Sequence, residues 1–443
     1  MKIVDWLRPG IKVKRWVFFG LMGILFIIFG ALEFVNRRFY SIYFISFYVF
    51  LFISGLFVLY ISVTQGMRSI ISLINKGYLN VSLDSRKLEN LIYEKRLLVK
   101  GPKIVAVGGG TGLSTMLRGL KYYTSNVTAV VTVADDGGGS GELRDDLGIL
   151  PPGDIRNCIL ALADTEPLME DLLQYRFTEG KLKNQSFGNL FLAAMDGISN
   201  NFEEAVQKMS SVLAVTGKVM PVTLENIVLK AKLNNGTIVE GESNIPKEAI
   251  STGSKIEKVF IEPKNARALK EAIEAIDEAD AIILGPGSLY TSIIPNLLIK
   301  DIVNAIQKSE AIKIYVSNIM TQKGETDSYD VGDHLRAIFK HGVSGIVDFA
   351  VVNVGKIGDG LEEKYRENGS ELVKYNEDNF KGLNVNVIEG DFVKVSNGLV
   401  RHNSGKLAAI LIETIMDKKL QFDRKKIIEY FYLSERLKQN KNG

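Results

Sequence analysis

Lys103-Ile104-Val105-Ala106-Val107-Gly108-Gly109-Gly110-Thr111-Gly112 carries an apolar run straight into a glycine turn. A second apolar run, residues 127–133, ends in Ala134-Asp135-Asp136-Gly137-Gly138-Gly139-Ser140-Gly141, and Pro151-Pro152-Gly153-Asp154-Ile155-Arg156-Asn157 follows. Glycines at a strand-to-helix turn let backbone N–H groups approach an anion, and the next helix adds the positive end of its dipole. The stretch reads as strand, phosphate loop and helix.

Outward from it, valine- and isoleucine-rich runs recur at 281–284, 313–316, 349–353 and 384–388. They are uninterrupted, as expected of parallel strands buried on both faces. Helical patterns fall between strands at 113–122, 155–163, 202–210, 266–276, 297–309 and 405–418. This alternation predicts an α/β fold with a doubly wound, mostly parallel, Rossmann-like sheet. The rhythm breaks at 222–241, where Asn235-Gly236 joins two short apolar runs as a β-hairpin. An inserted β segment is therefore expected over about 218–262.

A second glycine loop, Gly285-Pro286-Gly287-Ser288-Leu289-Tyr290-Thr291-Ser292, follows the run Ile282-Ile283-Leu284. Two such loops at carboxyl ends of parallel strands share the sheet edge where open α/β folds bind ligands. Neither loop is a standard fingerprint. In a G-x-G-x-x-G register begun at Gly108 or Gly110, the third glycine's place is taken by Leu113 or Thr115, and no Gly-Lys-Ser or Gly-Lys-Thr follows. An ordinary dinucleotide oxidoreductase and a P-loop ATPase both lose weight.

The chain has 443 residues, 46% of them hydrophobic and 24% charged, enough for one large or two medium domains. A net charge of +3 with no basic face argues against a dedicated nucleic-acid binder. Cys158 is the single cysteine and there are three histidines, which excludes intrachain disulfides and cysteine-rich zinc sites while leaving carboxylates for magnesium. Apolar residues concentrate at the front, in predicted spans of about 16–35 and 39–67. Basic residues flank the pair outside (Lys2, Arg8, Lys12, Lys14 and Arg15; Arg68, Lys76, Arg86 and Lys87), against Arg37 and Arg38 beside Glu33 in the loop. The positive-inside rule then predicts a two-span membrane hairpin over 1–68 with both termini and the remaining chain cytoplasmic. Residues 69–101 read as an amphipathic connector, 102–420 as the Rossmann-like domain, and 421–443 as a C-terminal helix and polar tail.

Asp135 and Asp136 stand where an acidic residue binds a ribose hydroxyl or coordinates magnesium, and adjacent side chains point to opposite faces. Asp154 and Asn157 are read as ligand groups against the alternative of helix capping. Arg144 faces a phosphate or solvent.

Five motifs together, Gly108–Ser114, Ala134–Gly141, Pro151–Asn157, Gly285–Ser292 and Asn318-Ile319-Met320-Thr321-Gln322-Lys323-Gly324-Glu325-Thr326, resemble the YvcK-type gluconeogenesis factor family. That family is allied to 2-phospho-L-lactate transferase. The resemblance implies a UDP-sugar ligand, notably UDP-N-acetylglucosamine, and a role in cell shape and wall synthesis during gluconeogenic growth. It implies Gly109, Gly110 and Thr111 at the diphosphate, Gly287 and Ser288 at further phosphate or sugar contacts, and Asn189, Asn318 and Thr321 along the cleft. It also implies Tyr365 and Arg401 as ligand residues, chemically apt because a ring stacks on uracil and a guanidinium pairs with diphosphate. Read from the sequence alone, Tyr365 is a surface aromatic and Arg401 a strand-end charge.

Two positions depart from the family's pattern. Gln185 replaces the histidine of Gly-His-Ser-x-Gly-Asn in Asn184-Gln185-Ser186-Phe187-Gly188-Asn189, and Gly139 stands where serine is usual. Glutamine cannot shuttle protons near neutral pH, so a binding role is expected rather than a catalytic one. No catalytic residue is assigned beyond the candidates Asp135 and Asp136, with Mg2+ as the one cofactor considered. Expected partners are the UDP-sugar, the membrane, cell-wall synthesis proteins and a second copy of the chain, without nucleic acid. The alternative activity is a metal-dependent transferase using a nucleotide-diphosphate-linked substrate.

Overall fold

The apolar runs become the middle of a seven-stranded, all-parallel sheet in a computed structural model of the chain. The structure describes residues 14–35, 42–77, 98–99, 101–165, 167–419, 433–434 and 436–437. The chain divides into two units, Met1–Glu94 and Lys95–Gly443.

In the first unit, α1 (Lys14–Val35) and α2 (Ile42–Gly77) pack as an antiparallel pair. Small residues permit the approach: a Cβ on Gly23 would lie 3.0 Å from the Gly55 carbonyl oxygen, and one on Gly55 2.8 Å from the Gly23 oxygen. The Ser62 hydroxyl donates to the Trp16 carbonyl. Large apolar side chains face outward, among them Phe18, Phe29, Phe50 and Phe57, each at least 60% exposed. Among the described residues one helical stretch, Ser46–Gln65, is long and apolar enough to cross a membrane, and Phe18–Ala31 is a shorter apolar stretch. The second predicted span ended at 67, but α2 runs unbroken to Gly77, so the start of the expected connector is helix. Most of the remaining connector lies outside the described residues, as does most of the expected C-terminal helix and tail; Leu433 and Leu437 are buried.

In the second unit the sheet order is β10-β9-β8-β7-β1-β2-β3. Its strands are β1 (Ile104–Gly108), β2 (Val127–Val131), β3 (Lys218–Pro221), β7 (Ala281–Leu284), β8 (Ile312–Val316), β9 (Phe349–Asn353) and β10 (Asn386–Gly390). Every residue of β1 and β7 is buried. Each fully buried valine or isoleucine contributes about 1.5–3 kcal/mol relative to exposure, so these central strands anchor the unit. From β1 the chain winds toward β2 and β3, and from β7 toward β8, β9 and β10. Right-handed crossovers in opposite directions place the two sets of helices on opposite faces.

One set comprises α3 (Gly110–Leu120), α5 (Gly153–Leu162), α8 (Phe202–Val212) and the closing α16 (Ser404–Lys418). The other contains α10 (Lys270–Asp277), α11 (Ile294–Leu297), α12 (Lys300–Lys308) and α13 (Val331–His341). The predicted helix over 297–309 is two pieces, α11 and α12, with Ile299 extended between them.

The inserted segment is a three-stranded antiparallel sheet, β5 (Ile238–Glu240), β4 (Val228–Leu233) and β6 (Ile256–Glu262), with α9 (Ile245–Thr252) before β6. Its Asn235-Gly236 turn needs the positive φ of 90° at Gly236. The expected limit of 218 is too early, because β3 pairs with β2 in the main sheet. Besides α9 and α13, five helices had no counterpart in the sequence reading: α4 (Gly138–Leu147), α6 (Pro167–Gln174), α7 (Phe187–Gly197), α14 (Asp359–Glu367) and α15 (Glu377–Phe380). The same holds for the hairpin of β11 (Val393–Ser396) and β12 (Leu399–His402). The short α15 precedes β10.

Candidate functional site

The winding reverses between β1 and β7, and the loops leaving these two strands are the two glycine loops. A crevice opens at such a point because successive connections depart in opposite directions. Here the loops interlock backbone to backbone. A Cβ on Gly112 would sit 2.7 Å from the Pro286 carbonyl oxygen, and one on Gly287 3.0 Å from the Gly109 oxygen. Gly110, at φ 71°, starts α3 in the left-handed region that other residues enter only with strain. The Gly285–Pro286 bond is cis. The Gly287 amide donates to Asn318 Oδ1 at 3.3 Å, tying the second loop to the chain after β8.

A cleft of about 340 Å³ lies over these loops, bordered by Gly110, Thr111, Gly287, Ser288, Asn318, Thr321, Tyr365 and Arg401. Tyr365 reaches it from α14, packs with Ile319, Ile357 and Val400, and accepts a 2.9 Å hydrogen bond at Oη from the Val400 amide. Its ring is thereby fixed to β12. Arg401, next on β12, is exposed, and the hydrogen bond described for its guanidinium is a 3.4 Å contact with the Val400 carbonyl. The Thr321 hydroxyl accepts from the Glu371 amide at 2.9 Å, so this residue latches the cleft wall. Burial pushes His402 down to about 4, and its neutral ring donates from Nε2 to the Ser317 carbonyl at 3.2 Å.

Carboxylates gather beneath the loops. Asp154 is pushed up to about 6, first by burial and then by the charge of Asp135, against the pull of the Gly110 amide. It does not cap its own helix: α5 begins at Gly153, Pro152 is the cap residue, and Asp154 lies in the first turn, where it holds the Gly110 amide at the start of α3, with Oδ2 2.5 Å from where a Gly109 Cβ would stand. Asp135 is also raised by burial, and its Oδ1 accepts from the Gly137 amide at 2.9 Å. Two further acids were not singled out in the sequence reading, although Glu325 stands within the fifth motif. Glu242, from the inserted segment, is pushed up to about 7 by burial and by Asp135, and Glu325 to about 8 by burial and by Glu242. Both interact with the Thr291 hydroxyl. One hydroxyl proton cannot serve both carboxylates at once. Glu325 Oε2 has no hydrogen-bond partner.

Other expected residues fall outside the cleft. Asp136 turns away, with Oδ1 accepting from the Ser243 amide at 2.8 Å. Asn189 is buried, its side-chain amide 3.5 Å from Ser140 Oγ. Asn157 lines a neighbouring cavity. Arg144 is not solvated: it is buried and donates to the Ile227 carbonyl at 2.7 Å. The two departures from the family pattern touch each other. A Cβ on Gly139 would lie 2.8 Å from Gln185 Oε1, while Gln185 Nε2 donates to Glu142 at 2.5 Å. Glutamine here occupies space that a serine at 139 would need.

No set of three or more Asp, Glu, His or Cys side chains among the described residues is arranged to hold a metal. The carboxylates therefore do not fit a protein-only magnesium cage. A larger cavity, about 750 Å³, is at the opposite edge of the sheet, between α8 and α10 beside the amino ends of β1 and β2, and carries no glycine loop.

Residues 104–393 match the family model described as 2-phospho-L-lactate transferase CofD. A Clostridium acetobutylicum protein described as a candidate gluconeogenesis factor is 70% identical over 100% of this chain and 98% of its own length. The gluconeogenesis factor of Bacillus subtilis is 46% identical over 71% of this chain and 99% of its own length. The crystal structure of a Bacillus halodurans protein superposes with a TM-score of 0.68 at 47% identity, covering 71% of this chain and 99% of that one. Glycine loops at the sheet's reversal point, the matched family model and these relatives lead to one conclusion: the chain belongs to the CofD family and is a homologue of its gluconeogenesis factors.

Proposed function

We propose that this protein is a membrane-tethered regulator that binds a UDP-sugar, UDP-N-acetylglucosamine, on the cytoplasmic side and controls cell shape and wall synthesis during gluconeogenic growth. The observation that carries the reading is the cleft in which Tyr365 and Arg401 stand with the two glycine loops. Backbone N–H groups of the loops and the start of α3 suit the diphosphate, Arg401 offers a fork to its oxygens, and the Tyr365 ring offers a face to the base. Gln185, held by Glu142 in place of a proton-shuttling histidine, favours binding over turnover. Outward-facing phenylalanines on α1 and α2 support the tether.

Calorimetric titration of the full chain with UDP-N-acetylglucosamine tests this. Binding without turnover is expected, with Tyr365→Ala and Arg401→Ala each weakening it by about tenfold or more, the worth of one charged hydrogen bond or stacked ring. Unchanged affinity in both variants would sink the site. A second reading, transfer of a phospho-linked group, rests on the raised carboxylates Asp154, Glu242 and Glu325 below the loops. Product formation from a nucleotide-diphosphate donor would favour it.

A further inference from the structure

Beside the nucleotide cleft lies a second cavity of about 300 Å³ toward which three arginines converge. Arg118 comes from α3, Arg156 from α5, and Arg176 from the turn between α6 and α7. Thr111, Thr115 and Arg118 follow one stripe of α3 at helical spacing.

The charge here is not balanced from within. Arg118 pairs with Glu170 at 2.8 Å, half-exposed, a contact of little strength. Neither Arg156 nor Arg176 forms an ion pair within 4.0 Å among the described residues. Arg156 is only 9% exposed. Its guanidinium spends one nitrogen on Ser186 Oγ and another on Asn157 Oδ1 at 2.7 Å, and Nε has no partner. Burial and the neighbouring charge of Arg176 both press its proton affinity downward, while Asp154 and Asp135 act against them. Arg176 donates to the Asn184 carbonyl and is otherwise exposed. Two guanidinium groups without carboxylate partners, facing one cavity of this size, constitute a receptor for a compact dianion. A neutral or cationic occupant would leave a buried charge uncompensated, which is costly.

We propose that this cavity binds the phosphate group of a second small ligand, separate from the nucleotide-sugar, with Arg156 and Arg176 as its main donors and the hydroxyls of Thr111 and Thr115 beside it. Thr111 and Thr115 border both cavities, so the two ligands would meet across the first turns of α3. A phosphorylated metabolite at the arginines would thus tune nucleotide-sugar binding through shared walls. The proposal stands on the arginine cavity and does not require the neighbouring cleft to hold UDP.

The test uses the full chain in detergent, inorganic phosphate as probe, and chloride at matched ionic strength as control. Unfolding temperature and heat of binding are read with and without saturating UDP-N-acetylglucosamine. Phosphate at about 10 mM is expected to raise the unfolding temperature in both conditions. Arg176→Gln and Arg118→Gln, at solvent-accessible side chains whose loss leaves the fold intact, are each expected to weaken phosphate about tenfold while UDP-sugar affinity is retained. Phosphate binding that persists where the UDP-sugar fails to bind would support the arginine cavity and refute only the nucleotide reading. Loss of the phosphate effect under UDP-sugar saturation, an unchanged effect in the Arg118→Gln/Arg176→Gln double variant, or no effect at all would overturn the proposal.

Discussion

Gly112→Ala is the substitution that most directly probes how the two glycine loops make one site. The added Cβ would stand 2.7 Å from the Pro286 carbonyl oxygen, 2.9 Å from its carbon and 3.1 Å from the Gly287 nitrogen. Comfortable contact begins near 3.5 Å, so the loops must part by roughly 0.8 Å. Neither can retreat easily, because the colliding atoms are backbone and the flanking strands are locked in register, Val107 opposite Leu284, with the Gly285 amide on the Val107 carbonyl at 2.9 Å. Overpacking of this kind costs about 1–3 kcal/mol. The same displacement misplaces backbone donors on both sides of the cleft. Losing one or two charge-assisted hydrogen bonds lowers affinity by about 10- to 100-fold. Differential scanning calorimetry and titration with UDP-N-acetylglucosamine measure the two effects together. Intrinsic tryptophan fluorescence would miss them, since Trp6 and Trp16 are the only tryptophans and both precede the second unit. Gly197→Ala is the matched control, because a Cβ there meets nothing within 4 Å at the end of α7. It should stabilise by up to about 1 kcal/mol. A Gly112→Ala protein with native unfolding temperature and affinity would refute the interlocked-loop account.

Two other outcomes follow from the buried acids and from the contact between the departures. Asp154, Glu242 and Glu325 are all raised in the folded protein, to about 6, 7 and 8, so the stability they contribute is full below the ordinary carboxylate range and is lost as pH climbs through those values. Glu325→Gln should flatten the upper part of that decline, a gain on the order of a few kcal/mol at pH 9 that vanishes by about pH 5; parallel melting curves for variant and native protein from pH 5 to 9 would contradict it. Gly139→Ser should destabilise by about 1 kcal/mol against the tip of Gln185, and Gln185→Ala should relieve most of that cost in a double-mutant cycle of unfolding temperatures. Strictly additive effects would mean that the two positions do not communicate.

The central strands were legible because burial on both faces leaves an unmistakable apolar run, as in Ile104 to Val107 and Ala281 to Leu284. β3 was not, since four residues ending in proline, at the edge of the sheet, carry little of that signature. α4 opens on Gly138 and Gly139, of the residue type that disfavours a helix more than any but proline, and owes its place to packing. The glycine loops, Asn318 and Thr321 could be read from motifs because they lie in loops joined directly to strands, whereas Tyr365 on α14 and Arg401 on β12 were expected only from the family resemblance. The pairing of Glu242 with Glu325 could not be read that way, for one arrives from the insertion and the other from the fifth motif after β8, and only the fold brings both to Thr291. Arg176 likewise has no local pattern, and its meaning depends on Arg156 lying across the same cavity.

The chain enters the second unit beside the amino end of β1: the Ser125 amide holds the Leu98 carbonyl at 3.0 Å, and Asn126 Nδ2 holds the Val99 and Gly101 carbonyls at 2.8 and 2.7 Å. From there β1 runs, paired on both sides, to the first glycine loop at its other end. A pull on the upstream chain would load β1 in shear, straining its ladders with β2 and β7 together, where an edge strand would yield one hydrogen bond at a time. The strand that ends in the first glycine loop is also the one best placed to bear mechanical force, so a pull on the chain upstream of it would be resisted at the floor of the cleft.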